Sequence, residues 1–152
     1  MQVKDAMTKD PLAIRIDATI QEAAAGMRQA DIGALPVVSD ENTLVGIVTD
    51  RDLAIRALAE ALSPETPVGQ IMTRNCVTVD ASDELEDALS LMRSEQIRRL
   101  PVVQAERLVG IVAQADVIAV SDAPELADTL RRVSEPATTE AERRVAAEAT
   151  RP

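Results

Sequence analysis

The sequence predicts a mixed α/β (α+β) fold in which two copies of one β-α-β-β-α unit pack together with pseudo-twofold symmetry. Two observations lead to this prediction. Short motifs recur in the same order at a nearly constant spacing, and apolar residues inside each copy follow first the period of a strand and then that of a helix. With 152 residues, 46% of them hydrophobic, the chain is large enough for one small module with a shared core.

The repeat signal is strong because the matched segments are long and keep their order. Two pairs lie 65 positions apart and the third lies 64 apart, since one residue is lost in the intervening turn. The pairs are Met7-Thr8 with Met72-Thr73, Leu35-Pro36-Val37-Val38 with Leu100-Pro101-Val102-Val103, and Leu44-Val45-Gly46-Ile47-Val48 with Leu108-Val109-Gly110-Ile111-Val112. We place the first unit at residues 1–60, a linker at 61–67 and the second unit at 68–120.

Each unit contains three predicted strands. The alternation of apolar and more polar residues over Leu12–Ile16 predicts a half-buried strand, and its counterpart in the second unit is Val77–Val79. The apolar runs Leu35–Val38 and Leu44–Val48 predict a hairpin, because the turn-forming residues Ser39–Asn42 separate them. Since a three-stranded sheet is marginal alone, we expect each sheet to pack against the other unit.

Two helices complete each unit. The first is predicted to begin at a capping box formed by Thr19 and Glu22, and its counterpart at a cap formed by Asp83 and Glu86. The last helix of the first unit is predicted from about residue 50 to residue 60. Two methionines on apolar helix faces are predicted core residues: Met27 and Met92. Two glycines that open the last strands are expected to serve the hairpin turn or close packing: Gly46 and Gly110.

The Ala/Glu/Arg-rich segment at residues 121–152 no longer follows the repeat. One interpretation is a solvated tail. The other is a partly helical segment that contacts a dimer partner, with Leu126, Leu130 and Val133 on one face and a second helix at residues 140–149.

The composition narrows the function classes. The chain has no His and one Cys, Cys76, so common proton shuttles, disulfides and CxxC metal sites are missing. It has no aromatic residue for base stacking, and a formal charge of −10 disfavours nucleic acid as a partner. It also lacks a run of apolar residues long enough to span a membrane and an apolar signal segment, so we expect a cytoplasmic protein.

The motifs resemble those of the cystathionine-β-synthase (CBS) domain. The first copy carries Ile32–Val38 followed by Gly46–Leu53, and the second carries Ile97–Val103 followed by Gly110–Asp116. The resemblance extends from Val3 to about Val120. It implies a stand-alone CBS pair that senses a ligand, with an adenosine-containing nucleotide (AMP, ADP or ATP, or else NAD or S-adenosylmethionine) bound between the copies. It also implies a homodimer, with no enzyme activity and no required cofactor or metal.

The family motif Gly-h-h-Thr/Ser-x-x-Asp, where h is apolar, implies specific ligand contacts. It places the Thr49 hydroxyl near a phosphate and Asp52 on the ribose hydroxyls. In the second copy Asp116 matches, but Ala113 lacks the hydroxyl. The competing interpretation is that Thr49 and Asp52 only cap their own helix. Capping alone is not expected to explain Asp116, because Ala113 cannot cap, although an acid in the first helical turn also suits the helix dipole.

Further candidates would surround such a ligand. Without aromatic rings, adenine would lie between aliphatic side chains and strand backbone. The candidates are Leu12, Ala13, Ala34, Leu35, Pro36, Val77 and Thr78. Arg98, Arg99 and Arg51 could clamp a phosphate, since arginine forks onto phosphate oxygens, or could instead form surface ion pairs.

Two function hypotheses follow from the sequence. The first is the ligand-sensing regulatory module, and the second is an interaction scaffold with a vestigial nucleotide site and an unidentified protein partner. An enzyme is disfavoured, because the sequence has no Walker lysine loop, no Ser-His-Asp set and no metal cluster.

Overall fold

Two four-stranded sheets with helices packed on them make up the part of the chain that the computed structural model describes, residues 1–120, with the side chains of residues 118 and 119 left aside. The predicted helices of the tail lie outside the described residues. Among the described residues, no helix is long and apolar enough to cross a membrane.

The order of elements confirms the predicted β-α-β-β-α unit in both copies and adds a short helical turn and a short strand before each. The first copy contains α1 (Val3–Ala6), β1 (Thr8–Lys9), β2 (Ile14–Arg15), α2 (Ile20–Ala30), β3 (Ala34–Val38), β4 (Leu44–Thr49) and α3 (Asp50–Asp52), which continues as a π-helix over Leu53–Leu58. The second contains a 3₁₀ turn (Val68–Gln70), β5 (Thr73–Arg74), β6 (Val79–Asp80), α4 (Leu85–Ser94), β7 (Arg99–Gln104), β8 (Arg107–Ala113) and α5 (Gln114–Val120).

Each sheet has one strand more than predicted, and that strand comes from the other copy. The first sheet has the order β2-β3-β4-β5, and the second has the order β6-β7-β8-β1. Strand β5 pairs antiparallel with β4, so that Arg74 lies opposite Gly46, and β1 pairs with β8, so that Lys9 lies opposite Gly110. Each sheet was predicted to have three strands and has four, because the two units exchange their first strands.

Two valines anchor the exchanged segments. Val3 and Val68 occupy matching positions in the repeat, and both are 0% exposed. Val3 packs in the core of the second sheet, and its backbone N–H donates to Asp83 O at 2.9 Å. Val68 packs in the core of the first sheet, and its N–H donates to Ala18 O at 2.7 Å. Each core is therefore completed by residues from the other repeat.

The predicted helix starts are confirmed in one copy only. The Thr19 hydroxyl accepts from Glu22 N at 3.1 Å, and the Glu22 carboxylate accepts from Thr19 N at 2.7 Å. The cap predicted at Asp83 and Glu86 is wrong, since Glu84 occupies the N-cap position without a side-chain cap bond. The Asp83 carboxylate instead accepts from Asp80 N at 2.8 Å, because it closes the turn that precedes the helix.

The hairpin turns of the two copies bond to each other reciprocally. Leu44 N donates to Glu106 O at 3.0 Å, and Leu108 N donates to Asn42 O at 3.1 Å. The matching bonds support the predicted pseudo-twofold relation of the copies. Met27 and Met92 are buried in the two cores, as predicted.

Candidate functional site

The first acidic candidate lies at the end of β4, where α3 begins. The Thr49 hydroxyl accepts from Asp52 N at 3.1 Å, and Asp52 Oδ2 accepts from Thr49 N at 2.9 Å and from the Thr49 hydroxyl at 3.0 Å. Thr49 and Asp52 therefore form the helix cap that the competing interpretation predicted. Asp52 is 9% exposed, and its second oxygen, Oδ1, lies 3.5 Å from Arg56 Nε.

The second acidic candidate repeats half of this arrangement. Asp116 Oδ2 accepts from Ala113 N at 2.8 Å, and the side chain is half-buried. The expectation that capping does not explain Asp116 is wrong, because a carboxylate at the third helical position bonds the N-cap amide without any help from a hydroxyl. Both acids are thus held at the start of a helix and neither is turned fully into water.

Strand pairing brings part of the predicted lining beside Thr49. Ala34 lies opposite Thr49 in the β3–β4 ladder, and Pro36 lies opposite Ile47. Leu35 is 1% exposed and belongs to the core of the first sheet, so its side chain faces the helices. Because side chains alternate along a strand, Ala34 and Pro36 face the other side of the sheet.

The three arginine candidates are exposed: Arg51 lies in the first turn of α3, and Arg98 and Arg99 lie where β7 begins. Arg99 pairs with Ala113 across the β7–β8 ladder, and Arg98 O accepts from Gln114 N at 2.9 Å, so both are placed by backbone near the start of α5. The Arg51 backbone N–H donates to Asp50 Oδ1 at 2.8 Å. Leu12 is 50% exposed, Ala13 is half-buried, and Val77 packs on the second core.

A cleft of about 470 Å³ opens between the two copies on the side of β4 and β5. Its lining comes from both repeats: Thr43, Leu44, Val45, Gly46, Arg74, Asn75, Cys76, Thr78, Val103 and Glu106. Of the predicted contacts it contains Thr78. Burial raises the pKa of the Cys76 thiol.

Sequence reasoning missed most of this lining. Arg74 and Asn75 reach the cleft because β5 crosses to the first sheet, and the exchange has no signature in side-chain periodicity. The sequence carried one local signal, the asparagine at position 75. Asn tolerates a left-handed backbone better than most residues, and Asn75 has this conformation, with φ of 52°. The matching position in the first copy, Asp10, has φ of 48°.

The described residues contain no group of three or more His, Cys, Asp or Glu side chains arranged to hold a metal ion. The polar groups of the cleft are hydroxyls, an amide, a guanidinium and one carboxylate. Such a set suits an organic ligand with hydrogen-bonding groups and an anionic end.

Comparison with known protein families finds one match for each copy of the repeat. The sequence model of the CBS domain matches residues 3–58 and again residues 68–123. The chain is 46% identical over 114 residues to the CBS domain-containing protein YhcV of Bacillus subtilis, a match that covers 75% of this chain and 81% of the relative.

Solved structures agree with the fold. The crystal structure of Hypoxic Response Protein I, with two coordinated zinc ions, aligns with a TM-score of 0.74 at 37% identity and covers 80% of this chain and 99% of that one. CBSX2 in complex with AMP aligns at 0.69 and 32% identity, covering 78% and 93%. The CBS domain pair of MJ0100, in complex with 5′-methylthioadenosine and S-adenosyl-L-methionine, aligns at 0.68 and 33% identity, covering 78% and 94%.

Proposed function

Since this chain belongs to the CBS domain family and carries the domain twice, we propose that it is a regulatory module that binds an adenosine-containing ligand between its repeats. The observation that supports this most is the cleft of about 470 Å³ lined by both copies. Two CBS-pair structures that resemble this chain hold AMP or S-adenosyl-L-methionine. The cleft is within the size range of small-molecule sites.

The cleft offers groups for the adenine and for the phosphate of such a ligand. Val45 and Val103 provide aliphatic surface for an adenine, and the hydroxyls of Thr43 and Thr78 can bond its ring nitrogens. The guanidinium of Arg74 can neutralise a phosphate.

Asp52 is not among the residues that line the cleft, and we propose it as the ribose contact on the strength of the family motif. Its Oδ2 already accepts two bonds from Thr49, so Oδ1 is the oxygen with capacity left for a ribose hydroxyl. Asp116 is proposed for the same role in the second site, where no hydroxyl supports it. Arg98 and Arg99 remain proposed phosphate contacts beside Asp116.

Ligand binding is expected to raise thermal stability. AMP, ADP, ATP, NAD and S-adenosylmethionine would be screened by thermal shift and then by calorimetry. A ligand at 100 times its dissociation constant should add about 2.7 kcal/mol to the free energy of unfolding. Asp52→Asn and Asp116→Asn should each weaken one site about tenfold, whereas Asp31→Asn, at the exposed end of α2, should not. No response to any of the five at millimolar concentration would contradict the proposal.

Cys76 can locate the bound ligand, because it is the single cysteine of the chain and lines the cleft. Its raised pKa means that little thiolate forms at neutral pH, so alkylation by iodoacetamide should be slow and should accelerate as the pH rises. A ligand in the cleft should slow it further. Stabilisation without protection of Cys76 would place the ligand elsewhere.

A homodimer is also proposed, and an exposed apolar stripe favours it. Ile55 and Leu58, in the π-helix, and Leu62, just after the turn that ends it, are 48%, 79% and 37% exposed. In a twofold dimer the same stripe on a second copy would cover them. The scaffold hypothesis uses this stripe too, with another protein as the partner.

Leu58→Glu is expected to shift the protein from dimer to monomer, because it places a charge at the centre of the stripe. Light scattering coupled to size-exclusion chromatography would give the mass. Gln104→Glu, at an exposed hairpin position, is the control and should leave the mass unchanged. A wild-type protein that is monomeric at 100-fold dilution and at high concentration alike would exclude the dimer.

A further inference from the structure

Arg56 links the acid of the proposed site to the segment that crosses between the repeats. Its Nε lies 3.5 Å from Asp52 Oδ1, and its Nη1 donates to Ile71 O at 3.1 Å and to Met72 O at 3.5 Å. The side chain is 51% exposed, but the groups that it contacts are buried, since Ile71 is 2% exposed and the Asp52 side chain 12%. One guanidinium therefore bridges the start of α3 and the segment that precedes β5.

The bridge ends where the exchanged strand begins. Ile71 and Met72 lie in the core of the first sheet, immediately before β5. The next residues pair with β4, and Arg74 and Asn75 then line the cleft. The carbonyls that Arg56 holds therefore lie just before two residues of the cleft wall.

The second copy lacks the bridge. The position that matches Arg56, 64 residues later, is Val120, and Asp116 stands where Asp52 does. Valine cannot pair with a carboxylate or donate to carbonyls. The residues that match Ile71 and Met72 are Ala6 and Met7, and β1 after them is held by its ladder with β8. The bridge is therefore present in the first half and its residues are missing from the second, despite the shared architecture.

We propose that Arg56 is a positioning residue that couples the state of the Asp52 carboxylate to the docking of β5, in the first sheet only. The coupling rests on the proposed function as far as its biological ligand is concerned, because the ligand is what would alter Asp52. A ribose hydroxyl that donates to Oδ1 competes with Arg56 for that oxygen. The balance of the Arg56 contacts between the carboxylate and the two carbonyls then changes, and the stability of the β5 ladder changes as a result.

The ligand-free protein already tests the coupling. Hydrogen exchange would be measured on peptides that cover residues 71–75 in wild type, Arg56→Gln, Asp52→Asn and the double variant. Each single variant should raise the exchange rate of β5 about fivefold, which is the loss of one partly exposed charged hydrogen bond. The double variant should exchange no faster than Arg56→Gln, because Asp52 acts on β5 through Arg56.

Two comparisons guard against a merely structural effect. Arg28→Gln removes the same charge from the exposed end of α2 and should change nothing in residues 71–75. Peptides covering residues 6–10, the matching segment of the second sheet, should exchange at the wild-type rate in every variant. Multiplying effects of the two substitutions, or equal changes in both exchanged segments, would overturn the proposal.

A ligand experiment separates this proposal from the proposed function. Whichever of the five screened compounds stabilises wild type, AMP being the first probe, should alter exchange at residues 71–75 in wild type and in Arg28→Gln. In Arg56→Gln the compound should still bind while that change disappears. If none of the five binds, the proposed function fails, and the ligand-free comparison still decides whether Arg56 couples the two elements.

Discussion

Val68→Asp is expected to abolish the native state. Val68 is 0% exposed in the core of the first sheet, although it belongs to the second repeat. An unpaired carboxylate at such a position costs several kcal/mol, which is comparable with the whole stability of a small domain. Far-ultraviolet circular dichroism during urea titration should show no cooperative transition at 25 °C.

Milder substitutions of the two buried valines and a substitution at a neighbouring exposed residue serve as controls. Val68→Ala should remain folded and lose about 2 kcal/mol, because it removes two buried methyl groups and leaves a small cavity. Val3→Ala should lose a similar amount in the other core, since Val3 is also 0% exposed. Gln70→Asp, an exposed position in the same helical turn as Val68, should change stability by less than about 0.5 kcal/mol. If Val68→Asp unfolded at the wild-type urea concentration, the exchange of segments between the cores would be refuted.

Gly46→Ala is expected to destabilise the protein by about 3 kcal/mol. A Cβ at Gly46 would lie 2.5 Å from Thr73 O and 2.9 Å from Met72 Sδ. The oxygen belongs to the backbone of β5, which is held in its ladder with β4, so the strand would have to move away. Overpacking of this kind costs typically about 1–3 kcal/mol. Equilibrium unfolding in urea would measure the loss.

Gly110→Ala provides the matched comparison. There the added Cβ would clash with Met7 Sδ and would lie 3.0 Å from Thr8 O. The closer atom is the end of a flexible side chain that can rotate aside, so we expect a smaller loss of about 1–2 kcal/mol. A Gly46→Ala protein that is as stable as wild type would show that β5 does not lie against β4 as closely as described.

Both glycines show how far the sequence could lead. Their recurrence at the start of the last strand indicated either a turn or close packing, and the second alternative is confirmed. The sequence did not indicate which segment packs against each glycine. Met7-Thr8 and Met72-Thr73 were visible as a recurring motif, but a motif does not state which sheet it joins.

The two helix starts illustrate the same limit on a smaller scale. Thr19 and Glu22 form the expected capping box, because residues three positions apart meet wherever a helix begins. Asp83 carries equally suitable chemistry, yet it bonds Asp80 N in the preceding turn. A short acidic side chain can satisfy either partner, and the path of the chain before the helix decides between them.

The amino-acid sequence by itself determined the duplication, the order of strands and helices in each unit, the membership of the CBS family and the burial of residues such as Met27 and Met92. These features depend on local periodicity and on spacing along one chain. The tertiary structure decided the exchange of β1 and β5, the lining of the cleft by Arg74 and Asn75, and the bridge from Asp52 through Arg56 to Ile71. The physical reason is that strand ladders join backbone N–H and C=O groups, which every residue other than proline carries, so the sequence does not mark which distant segments will pair.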